Sequence, residues 1–402
     1  MVIKVLAIGD LANNSSVLKN FVKKSEINLV NFSWSGASTI TDDKEDVEFL
    51  DPDKVMLQVN RINELKDDYD VCLAISSAGA RIAYLADLNY IFFLVGNDIR
   101  TPPFIKKVID PLASDNAIHN LNFFERRFYW NVYQNARICV ANFQRNFNYL
   151  KKYRDDAIRF DKVAVDIKIF NKNVIPVNRK KEKFTFFSPQ KIALQKGYDK
   201  ILEALPYCKS DFEILQVEWF DKRNKKEIEF MEKVLESKPD KITFVPLMSR
   251  DNVARYFAFS DAVLGSMNIG FPEGIEREAV FCNRPVIAYN NSNYDYFLDG
   301  NKEKSPFLPT TRDPKDIAKI IDLVVESHEF REKLFEEEFE FIKKIGEPYQ
   351  AAAEWDKLFE ENFKKYKTIR RKSSSIRIKF RIWYFLIANR LYVKKLRKIL
   401  KK

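Results

Sequence analysis

The sequence predicts an α/β protein made of two doubly wound domains, each a mostly parallel sheet with helices on both faces. Short apolar runs that are typical of buried parallel strands alternate with helix-compatible segments along most of the 402 residues. One polar, basic stretch at residues 171–183 interrupts this alternation, and Pro176 within it favours a linker. A chain of this length also suffices for two domains with separate cores.

The first predicted domain covers residues 1–170 and opens with a βαβ unit. Its first strand, VIKVLAI, ends at Gly9, where a polar loop leads into a helix-like segment. Further strands are predicted at residues 27–34, 70–76, 90–96, 137–141 and 162–166, and helices at 53–65, 79–87 and about 117–134. This alternation predicts a parallel sheet.

The second predicted domain covers residues 184–345 and repeats the pattern. Its strands are predicted at residues 183–188, 212–217, 241–247, 261–265 and 285–288, and its helices at 198–205, 225–236, 252–259, 316–326 and 329–344. Two domains of this kind predict a cleft that the carboxyl ends of both sheets line.

The net charge of +11 belongs to the C-terminal segment. From Lys364 onward the chain has 16 Lys and Arg residues and no Asp or Glu, whereas the first 363 residues hold 52 basic and 57 acidic side chains. The acidic body argues against a nucleic-acid-binding protein, and the basic segment indicates a surface partner. Four cysteines without metal-ligand or redox spacing predict buried thiols in a reducing compartment. Because we find no secretory signal and no apolar run of membrane-spanning length, we expect a cytoplasmic protein.

Several common functional motifs are missing from the sequence. It has no GxGxxG fingerprint, no GxxxxGK[ST] loop and no GxSxG elbow, which argues against nicotinamide enzymes, P-loop NTPases and α/β-hydrolases. The histidines are His119 and His328, and no His/Cys cluster has the spacing of a metal site, so we expect neither a metal nor a cofactor. His119 lies away from any predicted strand end, which favours a structural role.

Two lysines follow the first strand of the second domain. The segment FFSPQKIALQKGYDKILEAL at residues 186–205 contains a strand end, a loop with Lys191 and Lys196, and a helix that begins near Gly197. Ammonium groups beside the unpaired backbone N–H groups of a helix N-terminus suit a diphosphate. A solvated pair of lysines is the alternative interpretation.

The stretch GFPEGIEREAVFCNRPVIAY at residues 270–289 contains the second candidate site. It passes from a Gly-Pro loop to a helix with Glu273, Glu276 and Glu278, and then to an apolar strand. A loop that becomes a helix N-terminus between two strands is where α/β sheets bind phosphorylated ligands. Because the carboxylate spacing does not suit a metal cage, sugar hydroxyls are the expected partners. A βαβ connection with exposed glutamates is the alternative.

Together these two segments resemble the retaining glycosyltransferases of the two-Rossmann (GT-B) architecture, specifically the family 4 type. Lys196-Gly197 matches that family's Lys-Gly loop for the donor diphosphate. Glu278-Ala279, followed by RPVI at residues 284–287, matches the second half of its E-x7-E motif.

The resemblance extends along the chain to about residue 363. The segments at residues 162–170 and 96–100 resemble the family's GVDxxxF and HGxD elements. Residues 346–366, with Trp355, resemble its terminal helix, which crosses back and packs on the N-terminal domain.

The resemblance implies transfer of a sugar from a nucleotide-sugar donor to a glycan or lipid-linked acceptor, with retention of configuration. It implies that residues 1–170 bind the acceptor, that residues 184–345 bind the donor, that Lys196 neutralises the diphosphate and that Glu278 accepts hydrogen bonds from the ribose. The catalytic candidates are Lys196, Glu273 and Asp98. The donor-binding candidates are Gly9, Lys191, Lys196, Gly270, Phe271, Pro272, Glu273, Gly274 and Glu278. Asp98 and Arg100 are candidates for acceptor or sugar binding, with an internal ion pair between them as the alternative.

The sequence departs from the family pattern at three positions. Gly270 stands eight residues before Glu278, where the family has its first glutamate, and the adjacent Ile269 is the alternative alignment. Gln190 stands at the position of an arginine, and Val95 at that of a histidine.

Rival functions remain at this point. A sugar-nucleotide epimerase uses the same two-domain architecture, and a non-catalytic binding protein with a decayed transferase site is the non-enzyme alternative. A metal-dependent GT-A transferase needs an Asp-x-Asp motif after a strand, but Asp51/Asp53 and Asp68/Asp70 lie at a predicted helix start and a turn.

The tail at residues 367–402 predicts a basic amphipathic helix on a membrane surface. On a helical wheel, one face carries Phe385, Ala388, Tyr392, Leu396 and Ile399, and the other carries Arg390, Lys394, Arg397, Lys398 and Lys401. Trp383 and Tyr384 suit the headgroup level, and anionic lipid attracts each nearby basic residue by roughly 1 kcal/mol. We therefore expect a peripheral protein on the inner face of a membrane. The alternatives are a helix packed on the body, a helix that binds a partner, and a contact with nucleic acid.

Overall fold

The structure of the protein is a computed structural model that describes residues 2–10, 13–32, 48–50, 54–106, 121–221, 225–237, 239–371 and 373–389. Expectations about His119, Asp51, Asp53 and the tail after Asn389 lie outside the described residues. The chain forms two compact units. One runs to Phe160 and resumes at Tyr349, and the other comprises Asp161–Pro348.

The first unit contains a seven-stranded parallel sheet with the order β3-β2-β1-β4-β5-β6-β7. Its strands are β1 Ile3–Ile8, β2 Ser25–Phe32, β3 Glu48–Leu50, β4 Val71–Ile75, β5 Tyr90–Leu94, β6 Ile138–Asn142 and β7 Ile158–Phe160. Its first six helices are α1 Asn14–Lys19, α2 Val55–Leu65, α3 Ser76–Leu85, α4 Asn97–Arg100, α5 Phe123–Asn135 and α6 Phe143–Leu150. Every residue of β4 and β5 is buried, which is why these strands are continuous apolar runs in the sequence.

The second unit contains a five-stranded parallel sheet with the order β10-β9-β8-β11-β12. Its strands are β8 Phe184–Ser188, β9 Phe212–Val217, β10 Ile242–Val245, β11 Ala262–Leu264 and β12 Val286–Ile287. Its helices are α7 Tyr198–Ala204, α8 Lys225–Glu236, α9 Arg250–Phe259, α10 Gly274–Phe281, α11 Pro314–Glu326 and α12 His328–Gly346. An antiparallel pair, β13 Tyr296–Leu298 and β14 Asn301–Glu303, completes the unit.

Both sheets reverse their strand order once, between β1 and β4 in the first unit and between β8 and β11 in the second. The loops that leave the carboxyl ends of two such neighbouring strands diverge to opposite faces of the sheet. The gap between them is the usual ligand position of a doubly wound sheet. The second unit's candidate residues lie at this point.

One predicted strand is wrong. The segment KVAVD at residues 162–166 forms no strand, and the last strand of the first sheet is β7. Val163 and Val165 instead donate their backbone N–H groups to the carbonyl oxygens of Ile345 and Gly346, at 2.7 and 3.0 Å. The backbone N–H groups of an alternating apolar segment can pair with the carbonyl oxygens at a helix end as well as with those at a sheet edge. Because this segment pairs with the end of α12, residues 161–170 pack within the second unit.

After the second sheet, helix α13 Pro348–Tyr366 returns the chain to the first unit. Trp355 packs edge-on against Phe93 and Phe160, with ring centroids 5.0 and 5.1 Å apart. The Asp356 carboxylate accepts hydrogen bonds from two consecutive backbone N–H groups just after α1, at 2.9 and 3.0 Å. This helix therefore forms part of the first unit.

The last described helix is α14 Ser375–Ala388, which packs against α3 and α5. Phe385 and Ala388 are buried in this contact, so neither side chain faces a membrane as the helical wheel predicted. The buried Arg381 guanidinium lies 2.5 Å from the Asp87 carboxylate and donates to the Tyr84 carbonyl oxygen at 3.3 Å. None of the described helices combines the length and the apolar character that a membrane crossing requires.

Candidate functional site

The candidate site lies where the loops after β8 and β11 meet. Lys196 ends the first loop, and its carbonyl oxygen accepts hydrogen bonds from the Met267 N–H at 2.9 Å and the Ser266 hydroxyl at 3.1 Å. Gly197 follows with a φ of +73°, and a Cβ atom there would lie 2.8 Å from the Met267 carbonyl carbon. Only glycine therefore allows the two loops to approach this closely.

The second loop leads into helix α10. Gly270 has a φ of +84°, and a Cβ atom there would lie 2.9 Å from the Asn291 Cβ. The Asn291 N–H donates to the Gly270 carbonyl oxygen at 3.0 Å, and the Arg277 guanidinium donates to that of Pro272 at 3.1 Å. These bonds fix the path of the loop up to Gly274, the exposed first residue of α10.

Lys196 and Glu273, which are far apart in the sequence, form an ion pair. Their Nζ and Oε2 atoms are 2.5 Å apart, and about a quarter of each side chain is exposed. Glu273 is also the residue before the first turn of α10, where unpaired backbone N–H groups favour a negative charge. The carboxylate therefore occupies a position that two independent features make suitable for an anion.

Glu276 holds the backbone of the second loop in place beside this ion pair. Its buried carboxylate accepts hydrogen bonds from the backbone N–H groups of Ser266 and Glu273, each at 2.9 Å. Burial, and secondarily the nearby Glu273 carboxylate, raise the pKa of Glu276. Glu276 was not among the predicted site residues, although a glutamate three residues after a helix cap is a known capping signal.

Glu278 lies two residues further along α10 and pairs with a buried arginine. Its Oε1 atom is 2.9 Å from the Arg250 guanidinium, which also lies 3.9 Å from Asp166 and over the Phe170 ring. Burial raises the pKa of Glu278, and the Arg250 charge opposes this rise. Sequence reasoning missed Arg250, because it follows a different strand and belongs to no motif.

Lys191 and Gln190 have different surroundings. The Lys191 ammonium lies over the Trp219 ring, 4.9 Å from its centroid. Gln190 is buried, and its side-chain amide donates to the Gly265 carbonyl oxygen at 2.6 Å. Its backbone carbonyl oxygen accepts a hydrogen bond from the side-chain amide of Gln216. Gln190 therefore connects the ends of β8, β9 and β11 and does not present a charge to a ligand.

Arg312 is a second cation that was not among the predicted site residues. Its guanidinium lies over the Tyr289 ring, 5.5 Å from the centroid, and 3.5 Å from the Asn268 Oδ1 atom. Asn268 belongs to the loop after β11, so Arg312 borders the same site. Phe271, the remaining candidate of this loop, is half-buried.

The other candidates belong to the first unit. Gly9 follows β1 with a φ of +88°. The Asp98 carboxylate accepts from the backbone N–H and the hydroxyl of Ser77, at 3.1 and 2.6 Å, and burial raises its pKa. The buried Arg100 lies in the same short helix, and its Nε donates to the Gly96 carbonyl oxygen at 3.4 Å. Asp98 thus links the carboxyl ends of β4 and β5.

Within the described residues, no three His, Cys, Asp or Glu side chains form a group that would hold a metal ion. The absence of a required metal stays a prediction.

No protein-family model and no curated protein sequence matches the chain. Among solved structures, it is similar to HepE from Anabaena in complex with UDP and glucose, with a TM-score of 0.63, 14% identity, and coverage of 89% of this chain and 100% of that chain. It is similar to sucrose-phosphate synthase from Thermosynechococcus elongatus, with a TM-score of 0.64, 12% identity, and coverage of 90% and 100%. A putative UDP-N-acetylglucosamine 2-epimerase from Listeria monocytogenes has a TM-score of 0.53, 14% identity, and coverage of 93% and 100%. The chain therefore has the GT-B fold, with two Rossmann-like domains, that its sequence predicted.

Proposed function

We propose that the protein is a glycosyltransferase that moves a sugar from a nucleotide-sugar donor to a glycan or lipid-linked acceptor with retention of configuration. Its donor site comprises the loop that ends at Lys196 and the loop from Gly270 to Gly274. The similarity to HepE, which was solved with UDP and glucose, and to sucrose-phosphate synthase supports this class of donor.

The ion pair between Lys196 and Glu273 is the observation that carries the proposal. An ammonium group, a helix N-terminus and two glycines that remove side chains from the loops converge at the switch point of the second sheet. A diphosphate fits this combination, because each phosphate oxygen accepts hydrogen bonds from N–H groups and interacts favourably with the ammonium charge. Glu273 occupies the position proposed for the phosphate.

The chemistry that these residues support is stabilisation of the leaving group. As the bond between the sugar and the diphosphate breaks, negative charge grows on the phosphate oxygen, and Lys196 would stabilise that charge. Glu273, once displaced, would accept hydrogen bonds from the donor sugar, and Glu278 with Arg250 would bind the ribose end. The rest of the rate enhancement would come from holding the acceptor hydroxyl close to the anomeric carbon.

We also propose that the protein works at the inner face of a membrane, where its basic C-terminal segment, residues 367–402, binds anionic lipid. The charge asymmetry supports this, since no Asp or Glu occurs after residue 363. Lipid-linked acceptors would be available at such a surface.

A panel of nucleoside diphosphates and nucleotide sugars, measured by thermal unfolding, tests the donor site. A ligand present at 100 times its Kd stabilises a protein by about 2.7 kcal/mol, so a true donor is expected to raise the Tm clearly. The stabilising nucleotide sugar is then incubated with glycan and lipid-linked acceptors, and products are analysed by mass spectrometry and anomeric NMR. Transfer with an unchanged anomeric configuration is the expected result.

Other results would redirect the proposal. Conversion of the nucleotide sugar into its epimer without any acceptor would identify an epimerase. Binding without turnover would identify a non-catalytic binding protein. If no compound in the panel raises the Tm, the donor site itself is misassigned.

A further inference from the structure

Helix α14 has two apolar faces, and the first unit covers only one of them. The covered face contains Phe385 and Ala388. The other consists of Ile376, Phe380, Trp383 and Ile387, whose exposed fractions range from 39% to 78%. At 100° per residue, these four positions fall within an arc of about 60°, so they form one continuous stripe along the helix.

The first turn of α5 extends this stripe. Phe123 and Phe124 are 71% and 52% exposed, and they lie beside α14. The Tyr384 hydroxyl donates to the Phe124 carbonyl oxygen at 3.1 Å, and Asn122 donates from its amide to the Ala388 carbonyl oxygen at 2.9 Å. These two bonds hold the N-terminal end of α5 against α14.

The rings form a connected series across the two helices. Centroid distances are 5.7 Å for Phe123–Phe124, 6.3 Å for Phe124–Tyr384, 6.2 Å for Tyr384–Phe380 and 5.7 Å for Phe380–Trp383. We call the exposed members of this surface the aromatic patch, defined as Phe123, Phe124, Ile376, Phe380, Trp383 and Ile387. Soluble proteins seldom expose a contiguous apolar surface of this kind unless it binds a partner.

The charge around the aromatic patch is positive. Arg377 and Lys379 are exposed on α14, and Arg127 is exposed on α5 close enough to oppose the rise that burial causes in the pKa of the Tyr384 hydroxyl. The acidic neighbour on α5, Glu125, is engaged in the helix cap with Asn122. No Asp or Glu follows in the chain after α13.

We propose that the aromatic patch is the surface that inserts into the interface of an anionic lipid bilayer. Tryptophan and tyrosine favour the headgroup level of a bilayer, phenylalanine and isoleucine favour the acyl boundary, and basic side chains favour anionic lipid. The inference rests on the membrane association proposed above and assigns it to a face shared by α5 and α14. Of the face that the helical wheel selected, the described residues Phe385 and Ala388 are buried against the protein body.

Flotation of the intact protein with vesicles tests this assignment. The vesicles contain either phosphatidylcholine alone or phosphatidylcholine mixed with phosphatidylglycerol. The intact chain is expected to float with the anionic vesicles, and the double variant Phe123→Ser/Phe124→Ser and the single variant Phe380→Ser are each expected to bind at least about tenfold more weakly. The matched control is Phe297→Ser, because Phe297 on β13 and Phe380 are both 58% exposed.

The α5 variants are informative because they change no residue of the tail. If they float as well as the intact protein, whereas a chain without residues 390–402 does not, the patch assignment is overturned and the membrane association stands. If the intact protein binds neither kind of vesicle, both proposals fail. A fall in solution mass in the patch variants, without any change in flotation, would identify a second copy of the chain as the partner and also overturn the assignment.

A fluorescence measurement keeps the test independent of how well the variants fold. Trp383 is half-exposed on the patch, so brominated lipids in anionic vesicles are expected to quench it in the intact protein. This quenching is expected to disappear in Trp383→Phe. Equal quenching in the two proteins would overturn the assignment. Nucleoside diphosphate binding is measured in the same variants and is expected to be unchanged, which separates this surface from the donor site.

Discussion

Replacement of Lys196 by alanine is expected to weaken the binding of a nucleoside diphosphate by about 30-fold, or roughly 2 kcal/mol. Two unit charges about 4 Å apart attract each other by about 4 kcal/mol at the effective dielectric constant of a protein surface. Part of this attraction is lost, because the ligand first displaces Glu273 and because a quarter of the lysine side chain remains in contact with water. An ion pair as exposed as Lys196–Glu273 contributes only about 0–1 kcal/mol. Breaking it therefore cancels only a small part of the attraction between Lys196 and the diphosphate.

Replacement of Glu273 by glutamine is expected to have the opposite effect on the same measurement. The variant removes the competing carboxylate and its repulsion of the phosphates, so a nucleoside diphosphate should bind as tightly as before or a few-fold more tightly. Turnover should nevertheless fall, because the displaced carboxylate is proposed to bind the donor sugar.

The assay is titration calorimetry with the nucleoside diphosphate that gives the largest Tm shift. Lys200→Ala is the matched control, because Lys200 is similarly exposed on the adjacent helix α7 and pairs with Glu203 at 2.8 Å. Unchanged affinity in Lys196→Ala, or an equal loss in Lys200→Ala, would refute the assignment of the diphosphate position. Weaker diphosphate binding in Glu273→Gln would show that the carboxylate contacts the ligand directly.

Three further changes test the packing within the two units. Gly197→Ala should destabilise the second unit by about 1–3 kcal/mol in urea unfolding, because alanine disfavours the left-handed conformation and its Cβ meets the Met267 backbone; unchanged stability would contradict this close approach. Glu338 is buried and accepts a hydrogen bond from the Val286 N–H, and burial raises its pKa, so the folded protein loses stability as the pH rises from the ordinary pKa of glutamate through the raised pKa of Glu338. Glu338→Gln should therefore gain stability relative to the unmodified protein over that pH range, by up to about 1.4 kcal/mol per pH unit. Parallel curves of stability against pH for the two proteins would contradict this. Arg381→Leu leaves Asp87 buried without its ion-pair partner, at a cost of about 3–5 kcal/mol, so backbone N–H groups of α14 should lose protection from hydrogen exchange; full protection would contradict it.

The sequence predicted the two parallel sheets because most of their strands are buried on both faces. In β4 and β5 all residues are buried, and this produces the continuous apolar runs on which the strand assignment depended. The segment KVAVD is also apolar at its centre, but its backbone N–H groups pair with the end of α12. An apolar pattern reports burial, and it does not report whether the backbone partner is a strand or a helix end.

The candidate site was predictable only where its residues lie in a local motif. Lys196 and the loop from Gly270 to Glu273 are such residues, and the structure brings them together. Arg250 and Arg312 reach the same region from distant parts of the chain, so no local spacing could reveal them. The partner of each carboxylate was also unpredictable, because it depends on which strands are neighbours in the sheet.

The C-terminal tail is a further case in which the sequence pattern does not show what a side chain packs against. A helical wheel identifies an apolar face, but α14 has one covered by the first unit and another that is exposed. Arg381 illustrates the difficulty, because it belongs to the basic segment and yet its side chain is buried against Asp87. Tertiary packing, and not the periodicity, decides which apolar face remains available to a partner.

The charges at the proposed donor site impose a condition on its ligand. Lys196 is neutralised by Glu273, and Arg250 is paired with Glu278, so neither cation offers an uncompensated charge to a diphosphate. A ligand that displaces Glu273 leaves that carboxylate beside the incoming phosphates unless the ligand also supplies hydrogen-bond donors. The hydroxyls of the donor sugar supply them next to the terminal phosphate, whereas a nucleoside diphosphate carries its hydroxyls only on the ribose at the other end. The intact protein should therefore bind the nucleotide sugar more tightly than the corresponding diphosphate, and Glu273→Gln should narrow that difference. Equal affinities for the two ligands in the intact protein would show that Glu273 does not bind the sugar.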